Sequence, residues 1–178
     1  MTNLLLLPIE TADAASLAEL QGAAFDDYER SDLLSEVIAQ EAAARPGGLA
    51  REVPSPFGLA AYRNGTLVGW SQGHRQGRSE FYMLNSGVAS IERRKGVYSE
   101  LVKAVLAHAA SQGYAKVTSR HRASNTAVLI AKMRLGFQVS GFEYSEVYGP
   151  LVQLTFIVSE ARRRLYRVRS ASIRTSAQ

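Results

Sequence analysis

Val88-Ala89-Ser90-Ile91-Glu92-Arg93-Arg94-Lys95-Gly96-Val97-Tyr98-Ser99 is the segment from which the organisation of the chain is read. Glu80 to about Ser90 has the character of a long strand. From Arg94 to Ser111 the apolar residues Val97, Leu101, Val102, Val105, Leu106 and Ala109 recur at helical spacing. A strand therefore passes through a short basic turn into a helix. The first N–H groups of a helix have no partner inside it, and the helix dipole adds positive potential there. Gly96 lets an anion approach the backbone with no Cβ in the way, and Arg93, Arg94 and Lys95 add three cations. Together these features predict an anion cradle, most naturally for a pyrophosphate.

Outward from this segment the chain alternates strands and helices. Leu4–Ile9 reads as a first strand that tolerates Pro8 at an edge. Thr11 is placed to cap a helix carrying Leu17, Leu20, Ala24 and Phe25. Ser31 is placed to cap a second helix through Glu41, which Pro46-Gly47-Gly48 ends. Phe57–Arg63 and Thr66–His74 flank Asn64-Gly65, a strong hairpin signal, and Gln76-Gly77-Arg78-Ser79 turns the chain into the Glu80 strand. Beyond the long helix, Gly113 is its stop, Ala115–Arg122 is a strand, and Ser124 or Asn125 caps a short helix through Leu135 that Gly136 ends. Phe137–Tyr148 and Leu151–Ser159 are the last two strands, with Gly149-Pro150 as the turn between them. Residues 160–178 are rich in arginine and form either a final amphipathic helix on Leu165, Tyr166 and Val168 or a solvated tail.

The 178 residues suit one domain, divided here into residues 1–159 and the basic segment 160–178. With no cysteine, disulfide frameworks, zinc ribbons, iron–sulfur sites and a cysteine nucleophile are excluded. His74, His108 and His121 show no metal spacing, so no metal is expected. The apolar run Leu4–Leu7 is too short for a signal peptide, and no stretch of about 18 apolar residues exists, which points to a cytoplasmic protein with no membrane partner. The net charge of +5 is uneven: three basic residues oppose ten acidic ones over 1–53, whereas twelve oppose five over 54–159. The basic middle agrees with an anionic ligand. The acidic side chains of Asp26, Asp27, Glu29 and Asp32 either attract a cationic acceptor or form a solvated face. The arginine-rich end is read first as solvated, with nucleic-acid contact the minor alternative.

The basic turn resembles motif A of the GNAT superfamily of acyl-CoA-dependent N-acyltransferases, which reads Arg/Gln-x-x-Gly-x-Gly/Ala. Arg93, Gly96 and Tyr98 occupy those positions, with the usual Val five residues earlier at Val88. Tyr98 stands where Gly or Ala is usual, so its ring is expected to crowd the cradle or pack over it. A second segment, Asn125 to Phe137, resembles the family's later motif through Asn125, Val128, Leu135, Gly136 and Phe137. Lys132 stands where that motif has a Tyr, often the general acid.

The resemblance implies an α/β fold of α+β type: a single domain with a mixed, mostly antiparallel sheet of about seven strands. Helices cover both faces, and a central parallel pair splays apart to admit acetyl-CoA. It implies that Gly87, Val88 and Ala89 pair with the pantetheine arm, Gly87 also suiting a bulge. It places the pyrophosphate on Arg93, Arg94, Lys95, Gly96, Val97, Tyr98 and Ser99, and makes Asn125 a polar contact on the opposite wall. The implied reaction is acetyl transfer from acetyl-CoA to a primary amine of a small molecule or peptide by direct attack. Glu80 is then either the candidate base or a solvent-facing charge at a strand end, and the Val88 N–H is the candidate oxyanion donor. Lys132 either reaches the phosphate or thiolate side of CoA or lies on the surface with its ammonium in water. A CoA-binding module without catalysis is the alternative, and a homodimer through the last two strands is left open.

Overall fold

The computed structural model describes residues 4–29, 36, 40 and 56–172. Seven strands, β1 (Leu4–Pro8), β2 (Phe57–Arg63), β3 (Thr66–Gln76), β4 (Glu80–Val88), β5 (Lys116–Arg122), β6 (Gln138–Ser145) and β7 (Gly149–Ile157), form one sheet in the order β1-β2-β3-β4-β5-β7-β6. The described helices are α1 (Ala14–Glu29), α2 (Val97–Ser111), α3 (Thr126–Arg134) and α4 (Glu160–Ser172). Pairing is antiparallel at β1–β2, β5–β7 and β6–β7 and parallel at β4–β5. The architecture is thus the single α/β domain with a mostly antiparallel sheet that the sequence leads one to expect. Among the described residues no helix is long and apolar enough to cross a membrane.

Turn chemistry explains most boundaries. Asn64 and Gly65 take φ of 52° and 79°, the left-handed pair a two-residue hairpin needs. Gly136 takes φ of 93° and ends α3, with the Phe137 N–H returning 3.1 Å to the Lys132 carbonyl. Two expectations are corrected. Thr11 does not cap α1: its hydroxyl donates to the Pro8 carbonyl, and Asp13 takes the capping role by accepting from the Ser16 N–H at 2.8 Å. Gly149-Pro150 is not the last turn, because residues 146–148 turn and Pro150 opens β7 opposite Tyr144, a strand start where a missing N–H is tolerated. Of the two readings left open for the basic segment, the helix is found, over Glu160–Ser172, as its run of arginines, good helix formers, allows. The second helix expected over 31–41 lies outside the described residues, except that Glu36 and Gln40 are helical and joined side chain to side chain at 3.1 Å.

Contacts divide the chain into two compact units, residues 1–72 with 85–101 and residues 73–84 with 102–178. In the first, Ala61, Val68, Val88, Val97 and Leu101 are buried together, with Leu4, Leu6, Leu59 and Tyr98 packed against them. Val88 thus faces α2, and Gly87, on the alternate face, meets Ala24 of α1 and the Trp70 indole. A Cβ on Gly87 would collide with that indole. The close approach of Trp70 therefore demands a glycine here. Trp70 is fully buried and donates from Nε1 to Asn85 Oδ1 at 2.9 Å. In the second unit, Phe81 packs edge-on against His108 of α2, and Phe137 lies against Phe156 of β7 with ring centroids 5.5 Å apart.

Candidate active site

The basic turn begins where β4 ends. The Ala89 N–H donates to the Val68 carbonyl of β3 at 2.9 Å. Successive N–H groups of an extended chain point to opposite edges, so the Val88 N–H points away from β3. The three backbone positions singled out by sequence are thereby separated: Ala89 and Gly87 face β3, and Val88 faces the other edge. The Val88 carbonyl accepts from Arg93 Nε at 3.3 Å, which draws the Arg93 stem back toward the strand.

After a single 3-10 turn (Ser90–Glu92), Arg94 and Gly96 both take left-handed φ, 64° and 86°. Space around Gly96 is open: a Cβ there would meet nothing within 4 Å. The backbone angle therefore selects glycine at this position, and the space beside it is left for something else. Glu92 bonds Arg63 at 2.8 Å and Lys95 at 3.1 Å, which neutralises part of the turn's charge. Arg93, Arg94 and Lys95 are exposed. The residue before α2 is Gly96, which has no side chain with which to cap. By contrast, Asp13 caps α1, and Asn125 caps α3 by accepting from the Val128 N–H at 3.3 Å. The first N–H groups of α2, on Val97, Tyr98 and Ser99, so lack the side-chain acceptor that α1 and α3 have.

Tyr98 does not cross the cradle. Its ring turns inward against the Val68–Val88–Leu101 cluster, and burial pushes its hydroxyl up to about 12. The hydroxyl closes no hydrogen bond, Ser86 being the polar group that faces it.

In the second unit the ladder between β4 and β5 is short. It joins Glu80 to Lys116, Phe81 to Val117 and Tyr82 to Thr118. β5 by comparison pairs with β7 over all seven of its residues. Glu80 lies at the paired end. Its carboxylate holds the Lys116 ammonium at 2.6 Å and accepts the Thr118 hydroxyl, an arrangement that ties the strands rather than presenting a free base.

Lys132 is the unexpected feature. It is not at the surface: it is 0% exposed. Its Nζ donates to Ser119 Oγ at 2.7 Å, lies 3.4 Å from Met83 Sδ, and stands 4.8 Å from the Phe137 ring centre. Met83 and Ser119 are the residues that would pair next after Tyr82 and Thr118, so the amine stands where the ladder stops. Burial brings its pKa down to about 7. Ser119 also bonds His121 Nε2 at 3.0 Å, and burial, with the Lys132 charge beside it, brings His121 down to about 3.

The Arg120-His121-Arg122 trio is therefore split by strand alternation. His121 shares a face with Ser119 and Lys132. Arg120 lies over the Tyr82 ring and pairs with Glu143 at 3.0 Å, and Arg122 lies over Tyr148. Sequence reasoning did not single out Ser119. The available signal was the two-residue period of β5, which puts Ser119 and His121 on one face. Asp26, Asp27 and Glu29 fall where side chains lie outside the described residues, and Asp32 lies outside them altogether.

Residues 15–137 match the acetyltransferase (GNAT) family, and the chain belongs to that family. Its members transfer an acetyl group from acetyl-CoA. Solved structures share the fold. The ribosomal-protein-S18-alanine N-acetyltransferase from Escherichia coli superposes with a TM-score of 0.67 at 15% identity, covering 88% of this chain and 95% of that one. An N-acetyltransferase from Staphylococcus aureus Mu50 gives 0.66 at 16% identity, covering 89% and 100%. Ard1 from Thermoplasma volcanium gives 0.64 at 18% identity, covering 88% and 99%. No curated protein sequence is matched.

Proposed function

We propose that this protein is an N-acetyltransferase that takes the acetyl group of acetyl-CoA to a primary amine of a small molecule or peptide by direct attack of the neutral amine on the thioester. The observation that carries this reading is the cation-rich turn running into a helix that its preceding residue cannot cap, directly after a strand that turns the Val88 N–H away from β3. Arg94 and Lys95, with the N–H groups of Val97, Tyr98 and Ser99, would hold the diphosphate. Arg93 would anchor the turn to β4. The Val88 N–H would donate to the thioester oxygen as negative charge develops there, and one such donor is commonly worth roughly 3 kcal/mol of barrier. In this reading Glu80 is a strut, because its carboxylate is held by Lys116 and Thr118.

The exposed aromatic side chains of the edge strand β6, Phe142 and Tyr144, at 81% and 77% exposure, support a homodimer through this strand. Light scattering of the purified protein against Phe142→Ser tests that part: a monomeric wild type removes it.

Calorimetric titration of acetyl-CoA into the wild type and into Gly96→Trp tests the main reading. A Cβ at Gly96 would meet nothing within 4 Å, but the φ of 86° strains any side chain there, so the fold of the variant is checked alongside its binding. Saturable binding by wild type and its loss in the folded variant support the reading, and release of free thiol across a panel of amines then establishes transfer. A folded wild type that binds no acetyl-CoA removes it.

A further inference from the structure

The arginines of α4 whose side chains are described stand in water, with one exception. Arg163 is half-buried, and its guanidinium lies over the Phe156 ring of β7, 5.6 Å from the ring centre. Its Nη2 holds the Glu160 carboxylate at 2.7 Å. Its Nε is shut off from solvent and has no hydrogen-bond partner among the described residues. A charged donor in that state costs free energy, because water is removed and nothing replaces it. Packing alone does not account for the residue, since a leucine would cover Phe156 without stranding a donor.

Arg163 also lines a cavity of about 450 Å³, within the size range of small-ligand sites. Leu135, Phe156 and Ile157 give it an apolar wall, and Tyr166 adds a ring with a hydroxyl. Arg167, one helical turn beyond Arg163, brings a second guanidinium, and Gln138 brings an amide. A Cβ on Gly136 would meet the Phe156 ring at 3.3 Å, so the glycine that ends α3 also leaves this wall without a side chain. None of the lining residues is acidic. Glu160 is the one carboxylate of α4, so the two guanidiniums set against it leave a single positive charge. All these residues belong to the second unit, at the end of β7 where Ile157 pairs with Lys116.

We infer that this cavity is a binding site for a small monocarboxylate with a flat apolar body. Arg163 turns its Nε and one Nη to the two carboxylate oxygens, the bidentate geometry a guanidinium favours, and Arg167 adds a second charged contact. The apolar body lies on Leu135, Phe156 and Ile157, with Tyr166 beside it. A single residual charge matches a carboxylate better than a phosphate dianion, and a cavity with an apolar wall matches a small molecule better than a polymer. The site is independent of the acetyl-transfer reading, because no residue of the basic turn or of β4 takes part in it.

The test uses the full chain with its arginine side chains labelled for NMR, phenylacetate as the probe, and phenylacetamide as the same body without charge. The Arg163 Nε–H signal, identified by its loss in Arg163→Leu and in Arg163→Lys, should shift saturably with phenylacetate and exchange more slowly with water. Phenylacetamide and inorganic phosphate should each bind at least roughly 10-fold more weakly, since each lacks half of what the site recognises. Arg163→Lys keeps the charge without the fork and should lose most of the binding, and Arg167→Gln should weaken it severalfold. Without ligand, Arg163→Leu should melt no lower than wild type, because the stranded donor is gone, and phenylacetate should raise the melting temperature of wild type but not of this variant. A signal that does not move at millimolar phenylacetate, or that phenylacetamide moves equally well, overturns the site. A destabilised Arg163→Leu beside a wild type that binds no phenylacetate makes Arg163 a structural anchor instead. A signal moved by a short single-stranded RNA but not by phenylacetate, and no longer moved in Arg162→Gln/Arg169→Gln, replaces the site with a polyanion surface.

Discussion

The turn at Arg93–Lys95 and the interior around Lys132 both carry cations, and the protein treats them in opposite ways. The turn leaves its charges in water: the Lys95 side chain is 52% exposed and shares Glu92 with Arg63. Lys132 is taken wholly out of water and given no anion among its partners. Exposed cations stay charged at every physiological pH and attract an anionic ligand over distances set by salt. A buried amine gains little from such attraction and becomes a group whose proton is loosely held. Burial alone thus sets how firmly each of these cations keeps its proton.

The sharpest way to break that contrast is a stability comparison of wild type with Lys132→Met. Folding lowers the Lys132 pKa from 10.5 to about 7, so between those values the unfolded chain holds a proton the folded one does not. Wild-type stability relative to the variant should therefore be lowest below pH 7, rise through the interval, and level off above 10.5. Across the whole window the change is worth about 5 kcal/mol. His121 acts in the acid range. Its pKa falls from 6.5 to about 3, so wild type should lose stability relative to His121→Asn as pH drops through that range. Denaturant unfolding at a series of pH values reads both. A wild-type-minus-Lys132→Met difference that stays flat from pH 6 to 10 would show that the amine is solvated after all.

The exposed turn should respond in the other currency. Changing Arg93, Arg94 and Lys95 together to Gln should leave the fold intact apart from the Arg93 contact to Val88. Acetyl-CoA binding should weaken by roughly 2–4 kcal/mol at low salt, the range expected for losing a few charge-assisted contacts, and the remaining affinity should depend less on salt. Calorimetry at two ionic strengths measures both effects. Affinity unchanged by the triple substitution would move the donor site away from the turn.

The two regions were also unequally legible. The turn could be read directly, since strand, cations, glycine and helix follow one another in about a dozen residues, and local pattern is what sequence displays best. The Asn64-Gly65 hairpin and the Gly113 and Gly136 stops were legible for the same reason: a left-handed φ selects the residue. The Lys132 site was not, because it is assembled from β4, β5 and α3, and no local pattern announces their meeting. One sign was present: Lys132 is four residues after Val128 and three before Leu135, on the apolar stripe of α3, where a lysine that reaches water does not belong. Tyr98 could be placed in the same way, three residues before Leu101 on the buried face of α2. The misplaced caps, Thr11 for Asp13 and Pro150 for residues 146–148, are shifts of a few residues between neighbouring turn formers, which competing side chains decide.

The smallest effect separates the two roles of a single residue in the turn. Arg94 holds φ of 64°, where a side chain costs roughly 1–2 kcal/mol that glycine does not incur, against the roughly 0.5–1 kcal/mol by which glycine's freedom favours unfolding. Arg94→Gly should therefore stabilise the fold slightly, by about 1 kcal/mol or less, while lowering acetyl-CoA affinity severalfold through loss of one cation. Arg94→Ala loses the same cation but keeps the strained angle, so it should match Arg94→Gly in affinity and fall below it in stability. Thermal melts and calorimetry on the pair resolve both quantities. Equal stability of the two variants would mean that the turn relaxes and stores no strain. Affinity equal to wild type in both would mean that Arg94 serves only the shape of the turn, leaving Lys95 and the helix N–H groups to hold the anion.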